Sequence, residues 1–289
     1  MRKLLPLILL HAATASAGSF TTEGEARLWL PDVVSTANSE VRITFSPDGE
    51  RMLWGTIGWS AGAGGWDIFE SVKSGAGWTK PQAVTFNSAA NDFDPSFAPD
   101  GSGVYFFSNR GGGFGKDDLY FAPFDAGSGR YAAAANLGSQ VNTAGDEWAP
   151  VVSPDGSRLM FASDGRGGKG KHDLFIAVRD GAGWGKVRSL DAVNGPDEDF
   201  DAAFLADGHS IVFSRGDFEG SVKLYLALFA NGKLSAPQPL PPTVNPATDD
   251  WAFGPSISLQ EAGILYFTTH RSDGRGRNDI YRVKYKIGG

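Results

Sequence analysis

The chain has 289 residues with 26 Lys+Arg, 33 Asp+Glu and 41% hydrophobic residues. That is a globular composition without the basic face that phosphate contacts need, so a nucleic-acid partner is excluded. With no cysteine, 39 glycines and 12% aromatics, it must be stable without disulfides, and tight turns between aromatic-rich strands are expected rather than long helices.

The first element in chain order is residues 1–17. Arg2-Lys3, the apolar run from Leu4 to Leu10 and Ala15-Ser16-Ala17 follow the order of a secretory signal peptide, with cleavage expected after Ala17. Pro6 interrupts the run, which is too short to span a bilayer. The expected mature chain, 18–289, keeps 24 basic against 33 acidic residues, a net charge of −9. It has no further long apolar run, so no transmembrane segment is expected in it.

From there the chain repeats a unit: an acidic residue, an apolar strand, a turn, a second strand, a Gly-rich loop and a third strand. The turns are Pro47-Asp48-Gly49, Pro99-Asp100-Gly101, Pro154-Asp155-Gly156 and the weaker Ala206-Asp207-Gly208, and Gln260 to Gly263 replaces the fifth. Pro fixes φ, Asp bonds its own backbone and Gly supplies φ > 0, as a tight hairpin requires. The third strands open at Asp67, Asp118, Asp173, Lys223 and Asp279, and fourth strands follow near Trp78, Tyr131, Trp184 and Leu234. The fifth unit ends before reaching a fourth strand, whereas Leu28-Trp29-Leu30-Pro31 looks like a fourth strand without a unit. The fold class expected is therefore all-β. It is one propeller of five four-stranded blades over 18–289, closed by the N-terminal strand, with six blades as the alternative and an open solenoid as the less economical arrangement.

The string from Asp92 to Tyr120, DFDPSFAPDGSGVYFFSNRGGGFGKDDLY, and that from Gly145 to Phe175 resemble the TolB-type β-propeller repeat, a WD-like repeat with a Pro-Asp turn. The resemblance covers residues 27 to 287. It implies a periplasmic or secreted, non-catalytic module that binds an envelope protein or a peptidoglycan-associated component, and a monomer is expected. The N-terminal domain of TolB and the OmpA-like tail of related envelope proteins have no counterpart in these residues.

One carboxylate recurs before each first strand: Glu40, Asp92, Glu147, Asp199 and Asp250. Five of them converging at the channel mouth would bind a ligand, a Lys, an Arg or a cation such as Ca2+. The plainer reading is that each caps backbone N–H groups or pairs with an Arg, because a fold requirement is what every unit repeats. The next residue, Val41, Phe93, Trp148, Phe200 or Trp251, should pack between blades. Two positions after the acid stand Arg42, Asp94, Ala149, Asp201 and Ala252, which makes Asp92, Asp94, Asp199 and Asp201 the candidates for an asymmetric metal site.

A carbohydrate-active enzyme, a glycoside hydrolase or lyase, is the alternative function, with Asp94, Glu147 and Asp201 as the carboxylates to test. A calcium-bound structural scaffold is a third. Arg110 and Arg271 are expected to pair with the Asp that opens the third strand. Trp59 and Trp66 have no Trp counterpart in other units and are candidates for partner or sugar contact. The short loop Gly216-Asp217-Phe218-Glu219-Gly220 marks the fourth blade as the place for a distinct surface feature. Gly58 to Gly62 and Gly165 to Gly170 match nucleophile and dinucleotide patterns without the helix either needs. His172, His209 and His270 lack metal-ligand spacing, so a His-based zinc site is not expected.

Overall fold

The structure, a computed structural model, describes residues 18–75, 77–245 and 251–288. The expected signal peptide and Asp250 lie outside the described residues.

Each unit folds as an antiparallel sheet. The first blade is Ser39–Phe45, Arg51–Ile57 and Trp66–Ser74, with an outer edge divided between Gly77–Trp78 and Gln82–Ala83. Asp92–Phe97, Gly103–Ser108 and Asp118–Asp125 form the second, its edge likewise divided between Arg130–Tyr131 and Ala135–Asn136. The third, Glu147–Val152, Arg158–Ser163, Asp173–Asp180 and Gly183–Ser189, has a continuous outer strand. Asp199–Phe204, Ile211–Gly216, Val222–Ala227 and Gln238–Pro239 make the fourth, beside a small hairpin of Phe229–Ala230 and Lys233–Leu234. The fifth is Ala252–Ile257, Ile264–Thr269 and Asp279–Gly288, completed by Ser19–Leu28 from the N-terminus. Every first strand contacts the first strand of the next blade, and the fifth contacts the first, so the ring has five blades and is closed.

The closing strand lies earlier than the sequence suggested. Ser19–Leu28 pairs along Asp279–Gly288 from Ser19 opposite Gly288 to Leu28 opposite Tyr281. An outermost strand is half exposed, and this one is accordingly polar. Of the apolar run, Trp29 packs edge-on to Tyr266 at 5.5 Å, and Leu30 turns the chain with φ 41°. The Asn that ends each unit bridges the third strand of its own blade: Asn142 accepts from the Leu119 N–H at 2.8 Å and donates to its carbonyl at 3.0 Å. Asn87, Asn194 and Asn245 do the same for Ile68, Leu174 and Leu224. In the fifth blade Ser35, supplied from the N-terminal side, bridges Ile280 instead.

Aromatic side chains at one repeat position of the second strands, Trp54, Phe106, Phe161, Phe213 and Phe267, are fully buried between blades. The Pro-Asp-Gly turns form as expected. Gly101 has φ 74°, and Asp100 accepts from the Ser102 N–H at 3.0 Å.

Candidate ligand site at the channel mouth

Each first strand carries a β-bulge. Pairing with the second strand slips between Val41 and Thr44, Phe93 and Ser96, Trp148 and Val151, Phe200 and Ala203, and Phe253 and Ser256. The first residue inside the slip is left-handed in all five blades: Arg42, Asp94, Ala149 and Asp201 have φ of 48, 50, 51 and 45°, and Gly254 has 56°. This register corrects the fifth unit by two residues. Ala252, opposite Thr269, occupies the place of Glu40, Asp92, Glu147 and Asp199, and Phe253 rather than Trp251 follows it. The acid is thus present in four blades, not five. Asp250-Trp251 imitates the acid-aromatic pair, but Pro95, Pro150 and Pro255 fall into line only in the corrected register.

The four acids are held separately, each inside its own blade. Glu40 accepts from the Thr36 N–H at 3.0 Å and the Thr36 hydroxyl at 2.5 Å. Asp92 accepts from the Ser88 N–H and hydroxyl and pairs with Arg110. Glu147 takes the Thr143 N–H, the Thr143 hydroxyl and the Ser163 hydroxyl, each at 2.7 Å. Asp199 takes the Gly195 N–H at 2.7 Å and Arg215 Nε at 2.7 Å. Burial pushes Glu40 up to about 7 against the pull of the Thr36 hydrogen bonds, and pushes Glu147 and Asp199 above the usual carboxylate range. These groups act as caps of the turn that enters each blade. Where an Arg joins them, it comes from the loop or strand end above. Arg110 therefore pairs with Asp92, not with Asp118, and Arg271 donates to the carbonyl of Thr243 at 2.7 Å. The Asp that opens a third strand caps its own loop instead, as Asp118 does for Phe114 and Gly115.

At the level of the bulges, one side chain crosses the channel. Arg42 reaches from the first blade to the carbonyls of Pro150 at 3.4 Å and Ala202 at 3.2 Å, and its Nη1 lies 3.6 Å from Asp201 Oδ1. Asp94 and Asp201 lie side by side within hydrogen-bonding reach, both buried, and both held above the usual range by burial. Asp94 is raised furthest, since the neighbouring Asp201 also disfavours its charge. Two carboxyls and one guanidinium thus share the channel, and burial of two like charges side by side favours the protonated form of Asp94. Beyond this level, toward the Pro-Asp-Gly turns, the channel encloses only about 70 Å3 between Ile43, Pro95, Val151, Ala203 and Pro255.

On the loop face, by contrast, a hollow of about 560 Å3 opens over the fourth, fifth and first blades. Trp66, Phe218, Trp251 and Phe253 line it with Val41 and Ile57, and Asn38, Asn278 and Arg277 stand at its polar edge. Phe218 projects from the short fourth-blade loop and meets Phe200, Trp251 and Phe253 with ring centroids 5.3, 5.0 and 5.4 Å away. Trp66 leans on Phe93 at 5.0 Å from the first blade. Both remain more than a third exposed, 37% for Trp66 and 42% for Phe218. No carboxylate pairs with Arg277 among the described residues. Its guanidinium carbon lies 6.0 Å from the centroid of the Trp251 ring.

The sequence-derived candidates therefore separate. Trp66 faces the hollow, whereas Trp59 stacks on Phe69 at 4.2 Å and packs within its own blade. Asp92 and Asp199 pair with Arg110 and Arg215, and Asp201 pairs with Arg42 while Asp94 lies beside Asp201, so a guanidinium stands among the carboxylates envisaged as a cation site. Trp251, read as inter-blade packing, is instead a wall of the hollow, and Arg277 was not singled out at all. The short fourth-blade loop and the unmatched Trp66 were the available signals.

No protein-family model and no curated protein matches the chain. Among solved structures, TolB from Acinetobacter baumannii superposes with a TM-score of 0.50 at 16% identity, over 87% of this chain and 55% of that one. The chain thus spans little more than half the length of that protein. A putative TolB from Agrobacterium tumefaciens gives 0.52 at 18% identity, over 82% and 72%. An α-L-arabinofuranosidase from Podospora anserina, solved with cellotriose, gives 0.52 at 10% identity, over 94% and 98%. At these identities the likeness is one of fold, and the fold is a five-bladed propeller of the TolB type.

Proposed function

We propose that this chain is an exported, non-catalytic binding module whose ligand seat is the aromatic hollow on the loop face, and that its ligand is a segment of an envelope protein. The observation that carries this reading is the hollow itself. Its volume lies in the range of ligand sites, three of its four aromatic walls, Trp66, Phe218 and Trp251, are side chains that the repeat does not require, and at its edge stands the guanidinium of Arg277, which pairs with no carboxylate among the described residues. Such a seat suits an apolar or aromatic side chain with a carboxylate beside it. Export rests on the N-terminal sequence pattern.

The carbohydrate-enzyme reading finds less support. Glycoside hydrolysis needs two carboxyls flanking a bound sugar, with room for a nucleophile or water. Both oxygens of Glu147 are taken by Thr143 and Ser163, and Asp94 and Asp201 face each other beneath Arg42. The test is affinity capture from an envelope extract with the wild-type protein, a Trp66→Ala/Phe218→Ala variant and a Glu147→Gln variant. A stoichiometric protein retained by the wild type and by Glu147→Gln, and lost from the aromatic variant, is expected. Glycan turnover abolished by Glu147→Gln would overturn the reading.

A further inference from the structure

Away from the hollow, the loop face of the third blade gathers three side chains of metal-ligand type. Asp146 precedes the first strand of that blade, Asp164 follows the second and His172 precedes the third. A ring nitrogen of His172 and one carboxylate oxygen from each Asp lie within 4.8 Å of one another. From this we infer a divalent transition-metal site, for which Zn2+ is the best-suited ion, formed by Asp146, Asp164 and His172.

The histidine carries the inference. His172 is 1% exposed, and its ring stacks on Trp148 at 3.8 Å, which fixes its plane. Its Nδ1 lies 2.9 Å from Glu198 Oε2. A carboxylate only accepts, so Nδ1 carries a proton, and in the neutral ring the lone pair is on Nε2. That Nε2 is buried without any hydrogen-bond partner, and an imidazole nitrogen is not left so without a cost. A carboxylate behind the distal nitrogen of a buried histidine is the arrangement that orients a metal ligand and raises its basicity.

Both aspartates are turned to the same purpose. The Asp117 N–H, at 3.2 Å, holds Asp146 Oδ1, and the Asp146 N–H, at 2.7 Å, holds Asp164 Oδ1. The second oxygen of each faces Lys116 Nζ, at 3.2 and 3.7 Å. The point on which they converge is thus already marked by a positive charge, on a side chain that is 69% exposed and can swing into water. One imidazole and two carboxylates make a mixed N/O set that suits Zn2+, whereas Ca2+ takes six to eight oxygens. The remaining coordination positions would be filled by water. In sequence this set is invisible, because its members are 18 and 8 residues apart on three different strand ends and meet only through the fold.

The experiment is calorimetric titration of the untagged protein with Zn2+, alongside Asp164→Asn, His172→Gln and Lys116→Met, each checked for a native circular dichroism spectrum. One Zn2+ per chain is expected, weakened at least tenfold by Asp164→Asn and by His172→Gln, and tightened by Lys116→Met because the competing ammonium is gone. A wild type that does not saturate, or binding that both Asp164→Asn and Lys116→Met leave unchanged, overturns the site even if His172→Gln does not fold. Preference for Ca2+ over Zn2+ would overturn the choice of ion.

Discussion

The channel at the bulges and the hollow above it are built from the same first strands, one residue apart: Val41 and Phe253 line the hollow, while Arg42 sits in the channel next to Gly254. They have opposite characters. In the channel, charge is buried and consumed internally by Arg42, Asp94 and Asp201. At the hollow, aromatic surface is left partly exposed at Trp66 and Phe218. A propeller repeats what closure needs, and what departs from the repeat is free for recognition. The residues that break the repeat here are Trp66, Phe218, Trp251 and Arg277.

The sharpest way to break this comparison is to remove the channel cation. Arg42→Met leaves Asp94 and Asp201 buried without a counter-charge, which should destabilise the protein by about 3–5 kcal/mol near neutral pH. Denaturant unfolding checks this, and a loss under about 1 kcal/mol would mean that the channel is wetter than the geometry indicates. A companion effect concerns pH. Glu40 rises from 4.5 to about 7 on folding, so the folded state holds a proton that the unfolded chain has released. Stability from this group is full below about 4.5, is lost as pH rises to about 7 and is then constant, a loss of about 3 kcal/mol. The raised Asp94 adds a loss of the same sign. Melting temperature should therefore fall between pH 5 and pH 8, and Glu40→Gln should flatten the decline. The smallest effect on stability is expected at the hollow. Trp66→Ala and Phe218→Ala should each cost about 1 kcal/mol or less, because both side chains are well exposed, yet they should abolish partner binding.

How far the sequence could be read follows the same division. The five-bladed ring was legible because its turns and caps are local chemistry, such as Pro99-Asp100-Gly101 or Glu147 with the Thr143 N–H. The register of the fifth blade was not, because Asp250-Trp251 copies the expected pair two residues early. The closing strand was misplaced because Leu28-Trp29-Leu30 is more apolar than the half-exposed Ser19–Leu28 that makes the edge. The site was least legible. Nothing in the spacing shows that Arg42 crosses the ring while Asp94 does not. The hollow combines a third-strand residue, Trp66, with a loop residue, Phe218, from a blade two places away round the ring.

The most direct test of the central claim is site-specific photo-crosslinking in the cell of origin, with the crosslinking residue placed at Phe218 and, as a control of similar exposure on the opposite face, at Leu259. The account predicts one discrete protein adduct from position 218, lost when Trp66→Ala is added, and none from position 259. Equal adducts from both faces, or none from position 218, would contradict it.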